Sequence, residues 1–346
     1  MKSSLNLSKY YLFKSAVLLL FIALLLTSCQ TNNQQSKKIE KKIFGVSMAS
    51  MDQDVFPIMK DAMFDSMKRD YVEIIWLNAD NKEEKQTDDI NYLLKKDVDL
   101  IIINPVDSEN ANKLVKKINK KNIPVVALDR IVKNVPLSAY ITSDSFRVGI
   151  EQAKYLAEKI DQTGKILILK GDKKNNIAFE ITAGNKKILK KNIKINIIEE
   201  KWHKAWSPDL AEQTVRKTLA EHPDIKGIMA NNSAMAMAAV KVLKEMDMTE
   251  KVVTIGADAS KDACIAIAKG EHDADIDKMP YIQGLAAFKS ALMISKEKKW
   301  NYNQRLKSGE YSIPVKLTPI MLIDKYNLIT MKDRWSELDK YIKEIE

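Results

Sequence analysis

The sequence predicts an α/β fold built on parallel sheets, and two observations support this prediction. Short apolar runs rich in β-branched residues alternate with longer amphipathic stretches, as strands and helices do when helices cover both faces of a parallel sheet. The design also repeats: Asn104 and Asp129 each follow a strand, and Asn232 and Asp258 do the same at almost the same spacing. About ten strands are expected, which implies more than one sheet.

The predicted elements follow one another in a regular order. The strand runs of the first half are "IFGVSM", "VEIIWL", "DLIIIN" and "IPVVALD", with helices over 54–69, 84–96 and 108–122 between them. The second half continues with the strands "KILILKG", "KINIIEE", "IKGIMAN" and "KVVTIGAD". An alanine-rich and methionine-rich helix follows the third of these, and either Asn231 or Ser233 is expected to cap it while Asn232 faces a ligand.

Composition fits a folded chain of two domains. Of the 346 residues, 45% are hydrophobic and 29% are charged. The formal net charge of +10 raises the possibility of nucleic-acid binding, but lysines are scattered, as in "KLVKKINKKN", rather than grouped with aromatic residues or glycine-rich loops. A lysine-rich solvated surface is expected, with no nucleic acid as a partner.

The N-terminal segment has the pattern of an export signal. Lys2, Lys9 and Lys14 precede the apolar run "AVLLLFIALLL", which ends in "LTSC" and a polar stretch. This resembles a bacterial lipoprotein signal peptide over residues 1–28, and the resemblance implies lipidation of Cys29 and a tether over residues 29–41. A simple membrane anchor is the alternative. Removal of residues 1–28 takes away three lysines and leaves a formal charge of +7.

The remaining residues give no sign of catalysis. Cys264 lies among small apolar residues at helical spacing and is predicted to be a buried structural thiol. His203, His222 and His272 are far apart and form no metal-ligand pattern. No enzyme, cofactor or metal is therefore expected.

The repeated polar residues predict a ligand site. Asn104, Asp129, Asn232 and Asp258 each follow a strand, and the carboxyl ends of parallel strands form the edge where open α/β sheets bind ligands. Amide and carboxylate groups together supply donors and acceptors that suit a small molecule with many hydroxyls. Each residue alone could instead be a helix cap or a turn residue.

Several longer motifs carry a family resemblance over nearly all of residues 42–330. The motifs are "VALDR", "YITSDS", "HPDIKGIMANNSAMAMAAVKVL", "IGADASKDACIAIAKG" and "LIDKYNL". They are similar to the periplasmic sugar-binding proteins of the ribose and galactose type, which supply ABC transporters and have the periplasmic-binding-protein type 1 fold. Repressors of the LacI type share this fold, but a lipoprotein signal occupies the place of their DNA-binding headpiece.

The resemblance implies two Rossmann-like lobes joined by a three-segment hinge that closes on ligand. The N-terminal lobe is expected over 42–143 and 279–311, and the C-terminal lobe over 144–278 and 312–330. Residues 331–346 extend beyond this and predict an amphipathic helix, since Trp335, Leu338, Ile342 and Ile345 are spaced by three and four.

The resemblance also implies a set of ligand-binding residues. Hydrogen bonds to sugar hydroxyls are assigned to Asn104, Asp129, Arg130, Asn232 and Asp258. Trp206 and Phe56 are assigned to stacking on the sugar ring, although either aromatic could equally belong to the core.

Three positions depart from the family pattern: Ile181 stands for an Arg, Ser233 for an Asp and Lys278 for a Gln or Asn. Loss of the Arg removes a bidentate donor, so the ligand can differ from ribose, galactose and glucose. Lys278 has two interpretations, contact with an anionic group or an outward position at the hinge, and the second is favoured because surface lysines are commoner.

The sequence therefore predicts a monomeric, membrane-anchored solute-binding protein whose partners are a sugar-like small molecule and an ABC transporter permease. The alternative is a ligand-sensing receptor lipoprotein that reports a non-sugar ligand to a chemotaxis protein or a sensor kinase. A neighbouring gene for a permease or for a sensor kinase discriminates between them.

Overall fold

In the computed structural model, residues 41–192 and 194–342 are described, and they belong to one compact unit. The predicted signal peptide, most of the tether and Cys29 lie outside the described residues. Across the part of the chain that is described, no helix combines the length and apolar character that a membrane crossing requires.

The strands correspond to the apolar runs of the sequence, with further short strands near the C-terminus. In chain order they are β1 Lys42–Met48, β2 Val72–Asn78, β3 Leu100–Ile103, β4 Val125–Leu128, β5 Ala139–Ser143, β6 Gly164–Lys170, β7 Ile195–Trp202, β8 Ile225–Ala230, β9 Val253–Ala257, β10 Ala274–Asp277, β11 Gln304–Ser308, β12 Tyr311–Thr318 and β13 Met321–Asp324.

Helices connect most of these strands and cover the sheets. They are α1 Val55–Asp70, α2 Glu83–Leu93, α3 Asn112–Asn119, α4 Ser145–Lys159, α5 Asn176–Leu189, α6 Pro208–Glu221, α7 Ser233–Glu245, α8 Lys261–Ala268, α9 Pro280–Ser295 and α10 Asp339–Ile342. Short 3-10 turns occur at Lys204–Trp206, Leu328–Met331 and Ser336–Leu338.

Two sheets form, as predicted. The first has the strand order β11-β12-β5-β4-β3-β1-β2, and the second has the order β13-β10-β9-β8-β6-β7. All neighbours are parallel except at one edge of each sheet, where β11 and β13 run antiparallel. The central strands are apolar throughout because helices cover both of their faces, and Leu100–Ile103 is buried along its whole length. The fold is therefore the predicted two-lobed α/β architecture.

Within the described residues, the chain passes between the two sheets three times: between β5 and α4, between β10 and α9, and between β12 and β13. The predicted position of the third crossing between the lobes, at residues 311–312, is wrong. β12 pairs with β5 as far as Thr318, and it buries Ile313 and Val315 in the core of the first lobe. The crossing therefore lies between Thr318 and Met321.

The C-terminal segment is not the single helix predicted for residues 331–346. Its described part makes the 3-10 turn Ser336–Leu338 and then the one-turn helix α10. The predicted apolar face does exist, because Trp335, Leu338 and Ile342 pack with the buried thiol Cys264 in one cluster. Ile345 lies outside the described residues.

Anchoring of two side chains accounts for the interruption of this helix. Arg334 donates two hydrogen bonds of 2.8 Å to Asp277, and the Trp335 indole donates one of 3.0 Å to the Ala259 carbonyl. The segment therefore follows its anchor points on the second lobe rather than a continuous helical path.

Candidate ligand-binding cleft

Equivalent polar residues end the central strands of the two sheets. The amide of Asp129 donates to the Ile141 carbonyl of β5, and the amide of Asp258 donates to the Ile276 carbonyl of β10. Both aspartates have a positive φ: Asp129, at 61°, lies in the left-handed region that Asp tolerates better than most residues, and Asp258 has a φ of 114°. The backbone therefore kinks at the same point of each lobe and carries one carboxylate beyond each sheet edge.

The asparagines that precede these aspartates in the chain are equivalent in a different way from the sequence prediction. The backbone N–H of Asn104 donates to Ser47, and its side-chain oxygen accepts from the Ala49 amide at 3.4 Å. The backbone N–H of Asn231 donates to Leu169, and its side-chain oxygen accepts from the Gly171 amide at 3.0 Å. Asn231, and not Asn232, is therefore the structural counterpart of Asn104.

Asn232 is the N-cap of α7. Its side-chain oxygen accepts a 3.0 Å hydrogen bond from the Met235 amide, so the expectation that Asn231 or Ser233 makes the cap is wrong. Ser233 instead donates to the Ala257 carbonyl and to Asp275, within the second lobe. The Nδ2 groups of Asn231 and Asn232 are both buried without a protein partner and can donate to a ligand.

The first lobe presents a braced carboxylate and a buried guanidinium. Asn104 donates to the Leu128 carbonyl at 2.9 Å and lies 3.5 Å from Asp129 Oδ2, which leaves Asp129 Oδ1 buried without a partner. Arg130 Nε lies 3.9 Å from Asp129, and Arg130 Nη1 donates to the Pro105 carbonyl. Burial lowers the pKa of Arg130, and Asp129, Asp172 and Asp258 act in the opposite direction.

The second lobe presents an ion pair. Lys278 Nζ lies 2.7 Å from Asp258 Oδ1, and each residue is only 5% exposed. The favoured outward position of Lys278 is therefore wrong, because the ammonium turns inward to a carboxylate that compensates its burial. Burial raises the pKa of Asp258 to about 7 even though Lys278 acts to lower it.

The two predicted stacking residues have different environments. The Trp206 ring packs against Gly171, where an added Cβ would lie only 2.3 Å from the ring. The indole N–H of Trp206 is buried without a hydrogen-bond partner in the protein. Phe56 is 1% exposed in the core of the first lobe, and the Arg130 guanidinium lies 5.8 Å from its ring centroid. Phe56 thus packs as a core residue beneath Arg130.

Ile181 does not occupy a cleft position. Its side chain is fully buried in the core of the second lobe. The side chain at position 181 therefore points into the core and not towards a ligand. The preceding residue, Glu180, instead accepts a 2.8 Å hydrogen bond from Asn176 at the start of α5. Burial raises the pKa of Glu180.

Sequence reasoning missed the residue that bridges the lobes. Asn176, the first residue of α5, accepts from the Ile131 amide at 3.1 Å and from Ser108 Oγ at 3.4 Å. Its Nδ2 donates to Tyr140 at 3.1 Å as well as to Glu180. The "NN" at the start of a helix was a signal for a cap, but not for contacts with another lobe.

Two further contacts cross between the lobes at the surface. The Lys174 ammonium bonds to Glu83, and the Lys261 amide donates to Asp54 at 3.2 Å. Together with the Asn176 bridge, these contacts hold the carboxyl edges of the two sheets against each other, so the structure has a closed cleft.

The closed cleft is polar and balanced in charge. Asp129 and Asp258 face Arg130 and Lys278, so two carboxylates meet two cations, all buried. Among the described residues of the cleft, Asp129 Oδ1, the two amide groups and the Trp206 indole N–H have no hydrogen-bond partner in the protein. Buried polar atoms of this kind cost stability unless they find partners, and a small molecule rich in hydroxyls supplies both donors and acceptors. The arrangement can bind such a molecule without any covalent chemistry.

Two facing α/β lobes that enclose buried polar side chains define a solute-binding protein. The chain belongs to the periplasmic binding protein family, since the model of the family described as "Periplasmic binding protein domain" matches residues 44–299. It is 26% identical over 282 residues to the "Ribose import binding protein RbsB" of Bacillus subtilis (strain 168), covering 80% of this chain and 91% of that protein.

Solved structures share the fold. An ABC transporter solute binding protein from Bacillus halodurans C-125 with bound myo-inositol has a TM-score of 0.76 at 23% identity and covers 86% of this chain and 100% of its own. The fructose binding periplasmic domain of a hybrid two component system has a TM-score of 0.77 at 24% identity, with coverages of 88% and 98%.

Proposed function

We propose that this protein captures a sugar or sugar-like molecule between its two lobes and delivers it to the permease of an ABC transporter. The closed cleft, with its balanced charges and its polar atoms that lack partners, supports this proposal most directly. The similarity to a ribose import binding protein supports the same ligand class and the same transport role. The polar side chains of the cleft favour binding of a solute rather than catalysis.

Within this proposal, ligand hydroxyls donate to Asp129 Oδ1 and accept from the Nδ2 groups of Asn231 and Asn232. Arg130 and the ion pair of Asp258 and Lys278 belong to the same site, and we assign Trp206 to stacking on the apolar face of the ligand. Asn104 and Phe56 act one step removed, as the supports of Asp129 and Arg130.

We further propose that the protein is a monomer, lipid-anchored at the bacterial cell envelope on the periplasmic or extracytoplasmic face. The family is extracytoplasmic, and "LTSC" at the end of an apolar run supports lipidation of Cys29. Several acyl chains on one cysteine anchor durably, at about 0.8 kcal/mol for each buried methylene.

A sensing role is the second candidate, because one structure with the same fold is the periplasmic domain of a hybrid two component system. In that case the clamp reports occupancy to a kinase and no solute is imported. Uptake of labelled ligand by cells with and without the gene separates the two functions, since only the transport role predicts a loss of uptake.

Thermal unfolding in the presence of candidate ligands tests the proposed binding. A ligand at 100 times its Kd adds about 2.7 kcal/mol of stability, so monosaccharides, polyols, nucleosides and sugar phosphates can be compared by the rise in Tm. For variants of the cleft, the surface variant Asp262→Ala is the matched control, because Asp262 is exposed on α8. If sugars and polyols leave Tm unchanged while another class raises it, the sugar assignment is wrong.

A further inference from the structure

The outward face of α9 is apolar although it is not covered by the protein. Its inward face packs on α1, with Gly284 against Met59, while Tyr281 and Ile282 are 43% and 42% exposed on the other side. Ile282, Leu285 and Met293 line a groove of about 440 Å³ beside this face. Surface helices normally carry polar residues there.

The rim of this groove is strongly basic. Lys289, Lys299 and Lys316 line it. The segment 280–318 contains six lysines and one arginine against two glutamates, a net charge of +5 out of the +7 expected for the mature chain. Among the described residues, none of these lysines forms an ion pair with an acidic side chain. Their charge is therefore available to an anionic partner.

Aromatic residues lie beside these lysines. The rings of Trp300 and Tyr302 are 5.3 Å apart, and the Arg305 guanidinium lies 5.7 Å from the Tyr302 centroid. Tyr302 is 41% exposed. Trp and Tyr next to Lys and Arg, on an apolar face, is the combination that suits the interface between lipid headgroups and acyl chains.

The sheet register places one end of this region, the turn between β11 and β12, near the start of the described chain, whereas Lys316 lies towards the carboxyl edge of the first sheet. β12 runs parallel to β5, and the parallel pairings continue through β4 and β3 to β1. The turn between β11 and β12 therefore lies at the same amino edge of the first sheet as Lys42. A fully extended chain from Cys29 to Lys42 spans at most about 45 Å, so the proposed lipidation site stays within that distance of this edge.

We propose that this surface docks the first lobe on an anionic phospholipid membrane. We call this surface the basic aromatic face and define it by Ile282, Lys289, Met293, Lys298, Lys299, Trp300 and Lys307. The inference rests on the proposed anchorage through Cys29, which holds the chain near the membrane. The apolar groove then meets the acyl boundary, and the lysines meet the phosphates of the headgroups.

Fluorescence quenching in vesicles tests this docking. The full-length lipoprotein, with acylation of Cys29 verified by mass spectrometry, is reconstituted in vesicles whose acyl chains carry bromine. The signal of Trp300 is the difference between wild type and Trp300→Phe. It should be quenched in vesicles of phosphatidylglycerol and phosphatidylcholine, and should recover in pure phosphatidylcholine or at high salt, because charge attraction to headgroups is screened.

Charge reversal provides the matched comparison. Lys298→Glu, Lys299→Glu and Lys307→Glu together should reduce the docked fraction by about tenfold or more. The same number of reversals on the second lobe, at the exposed Lys190, Lys191 and Lys194, should leave quenching unchanged. Equal quenching in neutral vesicles, or equal loss in both triple variants, overturns the proposal.

The anchorage and the docking can fail separately. If mass spectrometry finds no acyl group on Cys29, the anchorage is wrong, and co-sedimentation of the same chain with the two vesicle types then decides whether the basic aromatic face binds anionic lipid by itself. Sedimentation with anionic vesicles alone supports the docking, and no sedimentation overturns it. Ligand-induced stabilisation, measured on the same samples, reports on solute binding independently.

Discussion

The two lobes carry the same geometry at their strand ends and use it differently. In the first lobe, Asn104 directs its amide to Leu128 and Asp129, so its hydrogen bonds hold the lobe together. In the second, the equivalent Asn231 keeps its Nδ2 unpartnered, and the next residue caps α7. A shared fold therefore fixes where a polar side chain lies, while the neighbouring groups decide whether it supports the protein or remains available to a ligand.

The largest expected effect is at Asp258. Replacement by Ala should abolish ligand-induced stabilisation, because it removes one of the two carboxylates of the cleft and leaves Lys278 buried without its partner. The measurement is Tm with and without saturating ligand.

The double variant Asp258→Ala/Lys278→Met is the control for Asp258, since it removes both charges. It should restore the stability of the unliganded protein without restoring the ligand response. A normal ligand response in Asp258→Ala would remove this residue from the site.

The second prediction compares the equivalent amides. Asn104→Asp should lower the free energy of unfolding by about 1–3 kcal/mol, because the Leu128 carbonyl loses its donor and a carboxylate replaces it beside Asp129. Asn231→Asp keeps the acceptor for Gly171 and replaces a donor that has no protein partner with a carboxylate oxygen, so it breaks no hydrogen bond of the protein and its main effect should be weaker ligand binding. Denaturant titration and calorimetric Kd values check the pair, and a larger stability loss in Asn231→Asp would contradict the distinction.

The third prediction concerns pH. Because burial raises the pKa of Asp258 to about 7, the folded protein holds this proton more tightly than the unfolded chain. Its contribution to stability is fully present below about pH 4 and is lost as the pH rises through about 7. The difference in stability between wild type and Asp258→Asn should therefore change across this range.

Lys278→Met sharpens the pH test, since Lys278 acts to lower the pKa of Asp258. In that variant the loss of stability should move to higher pH. If the difference in the free energy of unfolding between wild type and Asp258→Asn stays constant between pH 4 and pH 8, the Asp258 carboxyl does not titrate in that range.

The smallest expected effect is at the helix cap. Asn232→Ser should retain the cap of α7, since Ser is also a good N-cap residue, whereas Asn232→Ala should cost about 1 kcal/mol of stability. Both variants lose Nδ2 and should weaken ligand binding equally if that group contacts the ligand. Thermal unfolding and calorimetric titration of the two proteins separate capping from binding.

The fold was largely predictable because its determinants are local. Strands such as Leu100–Ile103 are apolar throughout and can only be stable between covering layers. The third crossing was not predictable, because β11 is mostly exposed and β12 alternates, so neither has the buried-strand pattern of the predicted elements.

The site was predictable only in part, since spacing does not reveal partners. The nearly equal spacing in the two halves paired Asn232 with Asn104, although the hydrogen bonds pair Asn231 with it. The inward turn of Lys278 depends on Asp258, which belongs to an earlier loop of the chain. Asn176 could not be found because all of its first-lobe partners come from other elements.

The bridge made by Asn176 separates affinity from selectivity. Its hydrogen bonds to Ile131, Ser108 and Tyr140 form between the lobes and involve no cleft carboxylate. They therefore favour the closed form by the same amount for every ligand that fits. A substitution at this position would weaken the binding of all such ligands by the same factor. Their order of preference would still be set by the groups inside the cleft.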